Sequence, residues 1–327
     1  MSVRSLLPLL FCSLLGVQCN QKPKTETPVA EAPSTPEVAL ELKTNAQLGE
    51  GAFWNHHTQE LYWIDILQKE LHIHNPATKE DKTFAMPSRI GTVVPQTDST
   101  AVVALEDGVY IQNLKSGILS QLSNVEADTP GNRFNDGKCD PNGNLWVGSM
   151  DLAETHPLAK LYKVTPQGTA TAMLDSITIS NGIVWTRDAK TMYYIDTPTA
   201  TIKAFDYDPA SATISNGRVA VNVPAELGFP DGMAIDAEDK LWVGMWNGNA
   251  VLRFDPLTGQ VLTKITVPAH NVTSCAFGGK EFDTLYITTA SVDMTEEEKQ
   301  AYPLAGSVFV VTPGVQGVPS PFFGTPK

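Results

Sequence analysis

The chain has 327 residues, a formal net charge of −13 and 42% hydrophobic residues. That is enough apolar material for one large core or two small ones. A phosphate backbone needs a basic face, so the acidic balance excludes nucleic acid as a natural partner and disfavours anionic membrane surfaces.

Residues 1–19 carry Arg4 and then an apolar run from Leu6 to Val17 interrupted by Pro8. The run is too short to span a bilayer and reads as an export signal. It closes in Leu15-Gly16-Val17-Gln18-Cys19, which resembles a bacterial lipoprotein signal with Cys19 as the lipidated residue. The expected location is the periplasm or the outer membrane of a bacterium, with the lipid anchor as the sole membrane contact. Residues 20–40 are rich in Pro, Thr, Lys, Glu and Ala and predict a disordered tether, since such a stretch cannot offset its ordering entropy by burial. Of the four cysteines, Cys12 and Cys19 fall in the targeting segment. Cys139 and Cys275 fall in the folded part and are expected to be reduced and buried; they form neither a disulfide framework nor a Cys-x-x-Cys zinc site.

From about Glu41 the texture changes to short β-rich runs separated by turns. One pattern recurs: a polar turn, an apolar residue, an aromatic or small residue, then β-branched residues. It appears in Leu61-Tyr62-Trp63-Ile64, Val102-Val103, Leu145-Trp146-Val147, Met192-Tyr193-Tyr194-Ile195, Leu241-Trp242-Val243 and Leu285-Tyr286-Ile287. The steps between the first residues of these runs are 41, 43, 47, 49 and 44. Short strands repeating at that period are the signature of propeller blades, whereas a β-sandwich needs no constant period. The expected fold is all-β, a six-bladed β-propeller over residues 41–327. Thr295 to Ala301 read as one or two helical turns in a late loop.

Four stretches set a polar residue beside a glycine just before an expected channel-lining strand. They are Leu48-Gly49-Glu50-Gly51, Asn132-Arg133-Phe134-Asn135-Asp136-Gly137, Ile179-Ser180-Asn181-Gly182 and Pro230-Asp231-Gly232. Pro230 restricts its own φ, and Gly232 can take backbone angles closed to other residues, so Asp231 is expected to be held firmly at a strand mouth. Together the stretches deliver Glu50, Arg133, Asn135, Asn181 and Asp231. Two carboxylates and amide oxygens converging on one point repel unless a cation sits among them. Oxygen ligands suit one hard divalent ion, Ca²⁺ or Mg²⁺, with Mn²⁺ or Zn²⁺ as alternatives. The histidines take no part in this pattern. His72 and His74 alternate on one strand and His56 and His57 sit in a turn, which reads as solvated surface; His156 is placed near the mouth. No Gly-x-Ser-x-Gly elbow and no phosphate loop is present.

Taken in order, these runs and Thr273-Ser274-Cys275-Ala276-Phe277-Gly278-Gly279 resemble the gluconolactonase family that includes regucalcin (senescence marker protein) and luciferin-regenerating enzymes. The likeness covers about Leu48 to Val318. It implies a six-bladed propeller, one divalent metal held by Glu50, Asn181 and Asp231, and a sugar lactone touched by Arg133 and Asn135. Glu154, which follows Gly148-Ser149-Met150, is the implied third substrate contact. The implied chemistry is lactone hydrolysis: the metal polarises the ring carbonyl and activates water, Asp231 takes a proton, and Arg133 steadies developing negative charge. The chain is expected to act as a monomer. Two other functions fit the same residues, a calcium- or ligand-binding propeller without turnover and a hydrolase of another lactone or ester whose choice is shaped by residues 151–161.

Overall fold

The polar turns do what their spacing predicts. In this computed structural model, which describes Met1 and residues 36–325, the short runs pair with their neighbours into six antiparallel four-stranded sheets. Five blades are built in simple chain order, over residues 49–85, 90–123, 132–177, 180–222 and 229–266. The first strands of successive blades touch one another around a ring, so they line the central channel. The export signal, Cys19 and most of the tether lie outside the described residues.

The sixth blade departs from chain order. Its outermost strand is Ala39–Leu42, paired antiparallel with Val308–Val311, which follows Thr284–Ala290 and the inner strand Asn271–Gly278. The ring is thus closed by joining the start of the folded chain to its end. Strand pairing begins at Ala39, so the last two residues of the 20–40 stretch read as a tether belong to the propeller. The reason is that Ala39 and Leu40 find backbone partners in Val310 and Phe309.

The second strand of each blade is covered on both faces by adjoining blades, which explains the repeated apolar runs. Trp63, Trp146 and Trp242 are all essentially fully buried there. Burial also corrects the reading of two histidines. His74 is fully buried, with Nε2 2.9 Å from Glu41 Oε1. His72 stacks on Trp63 at 3.9 Å and sits 2.7 Å from Asp81 Oδ2. Alternation correctly placed them on one face, but that face is covered, by the closing strand at His74 and by Trp63 and Asp81 at His72. Cys139 and Cys275 are free and buried, as expected.

The late helix is Glu296–Ala301, with Thr295 and Glu298 forming a reciprocal capping box that satisfies otherwise free N–H groups. Beyond the last blade the chain crosses the end of the channel opposite the site. Gly317 bridges to Asp236, Phe323 N–H donates to Pro95 C=O at 2.9 Å, and Phe322 and Phe323 are buried.

Candidate active site

The site residues lie inside the inner strands rather than just before them. Each strand carries a register shift at that point: between Glu50 and Phe53, Phe134 and Gly137, Ser180 and Ile183, and Pro230 and Met233. A bulge leaves residues unpaired and re-aims their side chains, which is how a channel-lining strand delivers a polar group to the mouth. The glycines serve this in two ways. Gly51 takes φ of +64°, which favours glycine. Gly232 has no such angle; a Cβ there would stand 2.7 Å from Ser274 Oγ, so its role is close approach between blades five and six.

Glu50, Arg133, Asn135, Glu154, Asn181 and Asp231 all line one open cavity of about 530 Å³ at the mouth. All are buried except Glu154, which is exposed at the rim on a left-handed backbone with φ of +58°. His156 is exposed and is absent from the cavity wall; it turns back to Asp151 at 3.0 Å.

The floor is a knot of carboxyl groups. Asp231 lines this floor together with Glu50 and Asn181, and both lower its carboxyl against the effect of burial. Burial raises the Glu50 carboxyl well above its usual range, and the neighbouring Asp231 and Asp136 push it further. Burial and Asp136 do the same to Asp231. The floor therefore resists carrying its full negative charge and holds protons in the absence of a counter-cation. Asp136, part of the Arg-Phe-Asn-Asp-Gly run but given no role from sequence, sits beneath. It accepts from Gly137 N–H at 2.7 Å and is offset by Lys138, whose Nζ donates to Met233 C=O at 2.6 Å.

Asn181 is oriented by its neighbours. Its Nδ2 donates to Thr197 Oγ1 at 2.9 Å, and that hydroxyl donates to Pro230 C=O at 2.8 Å. This leaves Asn181 Oδ1 without a partner, as are Asp231 Oδ1 and Asp136 Oδ2. Buried orphan acceptors are costly, and those of Asn181 and Asp231, beside the Glu50 carboxyl on the cavity floor, fit a divalent cation. Glu50, Asn181 and Asp231 face the cavity and are the oxygens that could hold such an ion; so few protein ligands would leave positions open for substrate and water. Among the described residues no group of three or more His, Cys, Asp and Glu side chains is arranged for a metal, so a cation held here would draw on the amide oxygen of Asn181 as well as on carboxylates.

Arg133 is buried, and desolvation lowers its pKa to about 10 against the opposing pull of Glu154 and Glu50. Its Nη1 donates to Asn135 Oδ1 at 2.7 Å and to Phe134 C=O at 3.0 Å. Asn135 Nδ2 donates to Ser180 C=O at 2.6 Å. Much of the Asn135 amide is therefore spent on holding Arg133, a positioning role beside the substrate contact expected of it. Sequence reasoning also missed Arg89, Thr197, Phe229 and Trp246 in the cavity wall. Arg89 precedes an inner strand, in Pro87-Ser88-Arg89-Ile90-Gly91, and that position was the available signal.

A family profile described as SMP-30/Gluconolactonase/LRE-like region matches residues 48–291. The chain belongs to this family. It is 38% identical to the Bacillus subtilis protein YvrE, named as a sugar lactone lactonase, over 86% of this chain and 98% of that one. It is 35% identical to regucalcin of Danio rerio over 88% of this chain and 98% of the relative. Among solved structures, a calcium-binding regucalcin from Agrobacterium tumefaciens superposes with a TM-score of 0.84 at 27% identity, covering 89% and 97% of the two chains. A luciferin-regenerating enzyme superposes with a TM-score of 0.80 at 32% identity, covering 88% and 99%. These likenesses agree with the family resemblance and the six-bladed fold read from the sequence.

Proposed function

We propose that the chain is a metal-dependent lactonase of the sugar-lactone class, with Asp231 as the proton acceptor. The observation that carries this reading is the convergence of Glu50, Asn181 and Asp231, two of them with unpartnered oxygens, on the floor of a cavity whose wall holds Arg133 and Glu154. The name of YvrE supports the substrate class, and the calcium-binding regucalcin supports a divalent ion of the Ca²⁺, Mg²⁺, Mn²⁺ or Zn²⁺ kind.

A cation on Glu50, Asn181 and Asp231 would supply Lewis-acid polarisation of the lactone carbonyl and a more acidic water. Asp231 Oδ1 has no competing partner and is free to accept the proton of the attacking water. The water oxygen bonds to the acyl carbon, the ring C–O bond breaks, and the departing alkoxide takes the proton to give a hydroxy acid. Arg133, held by Asn135, places fixed positive charge near the developing oxyanion at no reorganisation cost. Glu154 at the rim accepts hydrogen bonds from ring hydroxyls. The test uses chelated protein with δ-gluconolactone and single divalent metals. Acid release restored by metal and lost in Asp231→Ala is the expected result. Absence of metal-dependent release from every lactone tried, with Asp231→Ala matching the parent, overturns the reading.

A further inference from the structure

Apolar residues run round the mouth, including Met150 and Leu152 of the third blade and Leu48 and Leu67 beside the first, but its formal charges are unevenly placed. Apart from the floor carboxyls, its formal charges are Arg89 and Arg133 with Glu154 on blades two and three, and Asp293 beside blade six. In a six-membered ring blades two and three stand opposite blades five and six. The arc facing the arginines, from blade four round to blade six, carries Ile179, Pro198, Phe229, Trp246 and Val292. Phe229 is 45% exposed, although it adjoins the buried Asp231 by only one intervening proline. A large apolar side chain left open beside a reactive floor gains free energy only when a ligand covers it.

Size points the same way. A cavity of about 530 Å³ is in the range that takes drug-sized ligands. A single aldonolactone leaves much of it filled by water, and any hydroxyl turned to the Phe229 side loses hydrogen bonds it makes in solution.

We propose that the preferred substrate is a lactone bearing an apolar alkyl or aryl arm, seated on Phe229 and Trp246 while its ring faces Arg133 and Glu154. This rests on the lactonase reading above, keeping its reaction and residues, and moves the preferred substrate from a polyhydroxylated ring to one that carries an apolar arm. The reaction needs only water: the acyl C–O bond of the ring opens, one water adds, and the arm is untouched. The arm therefore acts through binding, and its length sets kcat/KM without altering the bond that breaks.

The test is an alkyl series at constant ring chemistry, δ-valerolactone, δ-octalactone and δ-decalactone, with δ-gluconolactone alongside, in metal-loaded full chain. The expected result is a kcat/KM that climbs by up to about fourfold per added methylene. Phe229→Ala flattens the climb and Phe229→Leu restores much of it. Phe229 is half exposed, so its truncation leaves the fold intact, and a melting curve checks this. A flat or falling series together with turnover of δ-gluconolactone overturns the apolar arm and leaves the lactonase reading standing. If no lactone turns over, the lactonase reading fails instead. Calorimetry with the matching alkyl tetrahydropyran ethers then decides the arm: affinity rising with chain length supports it, and affinity independent of length overturns it.

Discussion

The two ends of the inner strand Phe229–Ile235 offer a direct contrast. Asp231 near its start and Asp236 just past its end are both buried aspartates. Asp236 is saturated: it accepts from Trp242 Nε1 at 2.9 Å, Arg253 Nε at 2.8 Å, Glu238 N–H at 2.8 Å and Lys240 N–H at 2.9 Å. Asp140 occupies the equivalent place in the third blade, bonded to Trp146 Nε1 at 2.8 Å and Tyr207 OH at 3.0 Å. Asp231 instead keeps an orphan oxygen among other carboxyls. The same residue type at similar depth is therefore a structural tie at one end and, with its free oxygen, a candidate reactive group at the other. What separates them is whether the surrounding strands supply donors.

Substitutions at the two aspartates should separate cleanly. Asp231→Ala is expected to lower kcat/KM for lactone hydrolysis by at least about a thousandfold, the scale of losing a proton acceptor that also ligates metal. Its melting temperature in chelator should match or exceed the parent, because a crowded buried carboxyl has been removed. Asp236→Ala should show the reverse. Leaving Trp242 Nε1 unpaired and Arg253 with only the exposed Glu238 costs about 3 kcal/mol, read by denaturant titration, while turnover at low temperature stays near the parent value.

Arg133→Lys tests the mouth alone. A lysine keeps the charge but loses the fork that engages Asn135 and the Phe134 carbonyl. A fall in kcat of about a hundredfold, with metal affinity by calorimetry nearly unchanged, is expected.

The smallest effect is on stability against pH. Burial holds the Glu50 and Asp231 pKa values above their unfolded values. The metal-free folded state thus binds more protons than the unfolded one over that interval. Its stability is greatest below the unfolded carboxyl pKa, about 4, and is lost as pH rises through the raised folded values. Chelated protein should therefore melt at lower temperature at neutral than at mildly acidic pH. Added divalent metal should reverse that trend, and a chelated melting temperature that rises with pH across this window would contradict the carboxyl knot.

Much of the fold was legible because a blade's second strand is sandwiched by its neighbours, so Leu61, Leu145, Leu241 and Leu285 repeat as buried runs. The Asp–Trp ties repeat too, with Asp140 before Trp146 and Asp236 before Trp242 at equal spacing. The polar stretches with Glu50, Asn181 and Asp231 were visible beside their glycines, and the structure gathers them at one cavity. Less visible were features that depend on which blade faces which. His72 and His74 looked solvated, but Trp63 and Asp81 cover the first and Glu41 of the closing strand meets the second. Asn135 looked like a free contact until Ser180 C=O and Arg133 engaged it. Phe229 and Trp246 carry no local pattern that marks them as cavity wall, and Arg89 carries only its place before an inner strand.

Local sterics and alternation are written in neighbouring residues, and they sufficed for strands, turns, six repeats and a family. Partnership is not local. Whether a buried oxygen such as Asp231 Oδ1 is met by a donor or left bare depends on side chains brought from distant parts of the chain when the ring closes. Asp236 is tied by donors of its own blade, whereas the neighbours of Asp231, Glu50 from the first blade and Asn181 from the fourth, meet it only in the assembled ring.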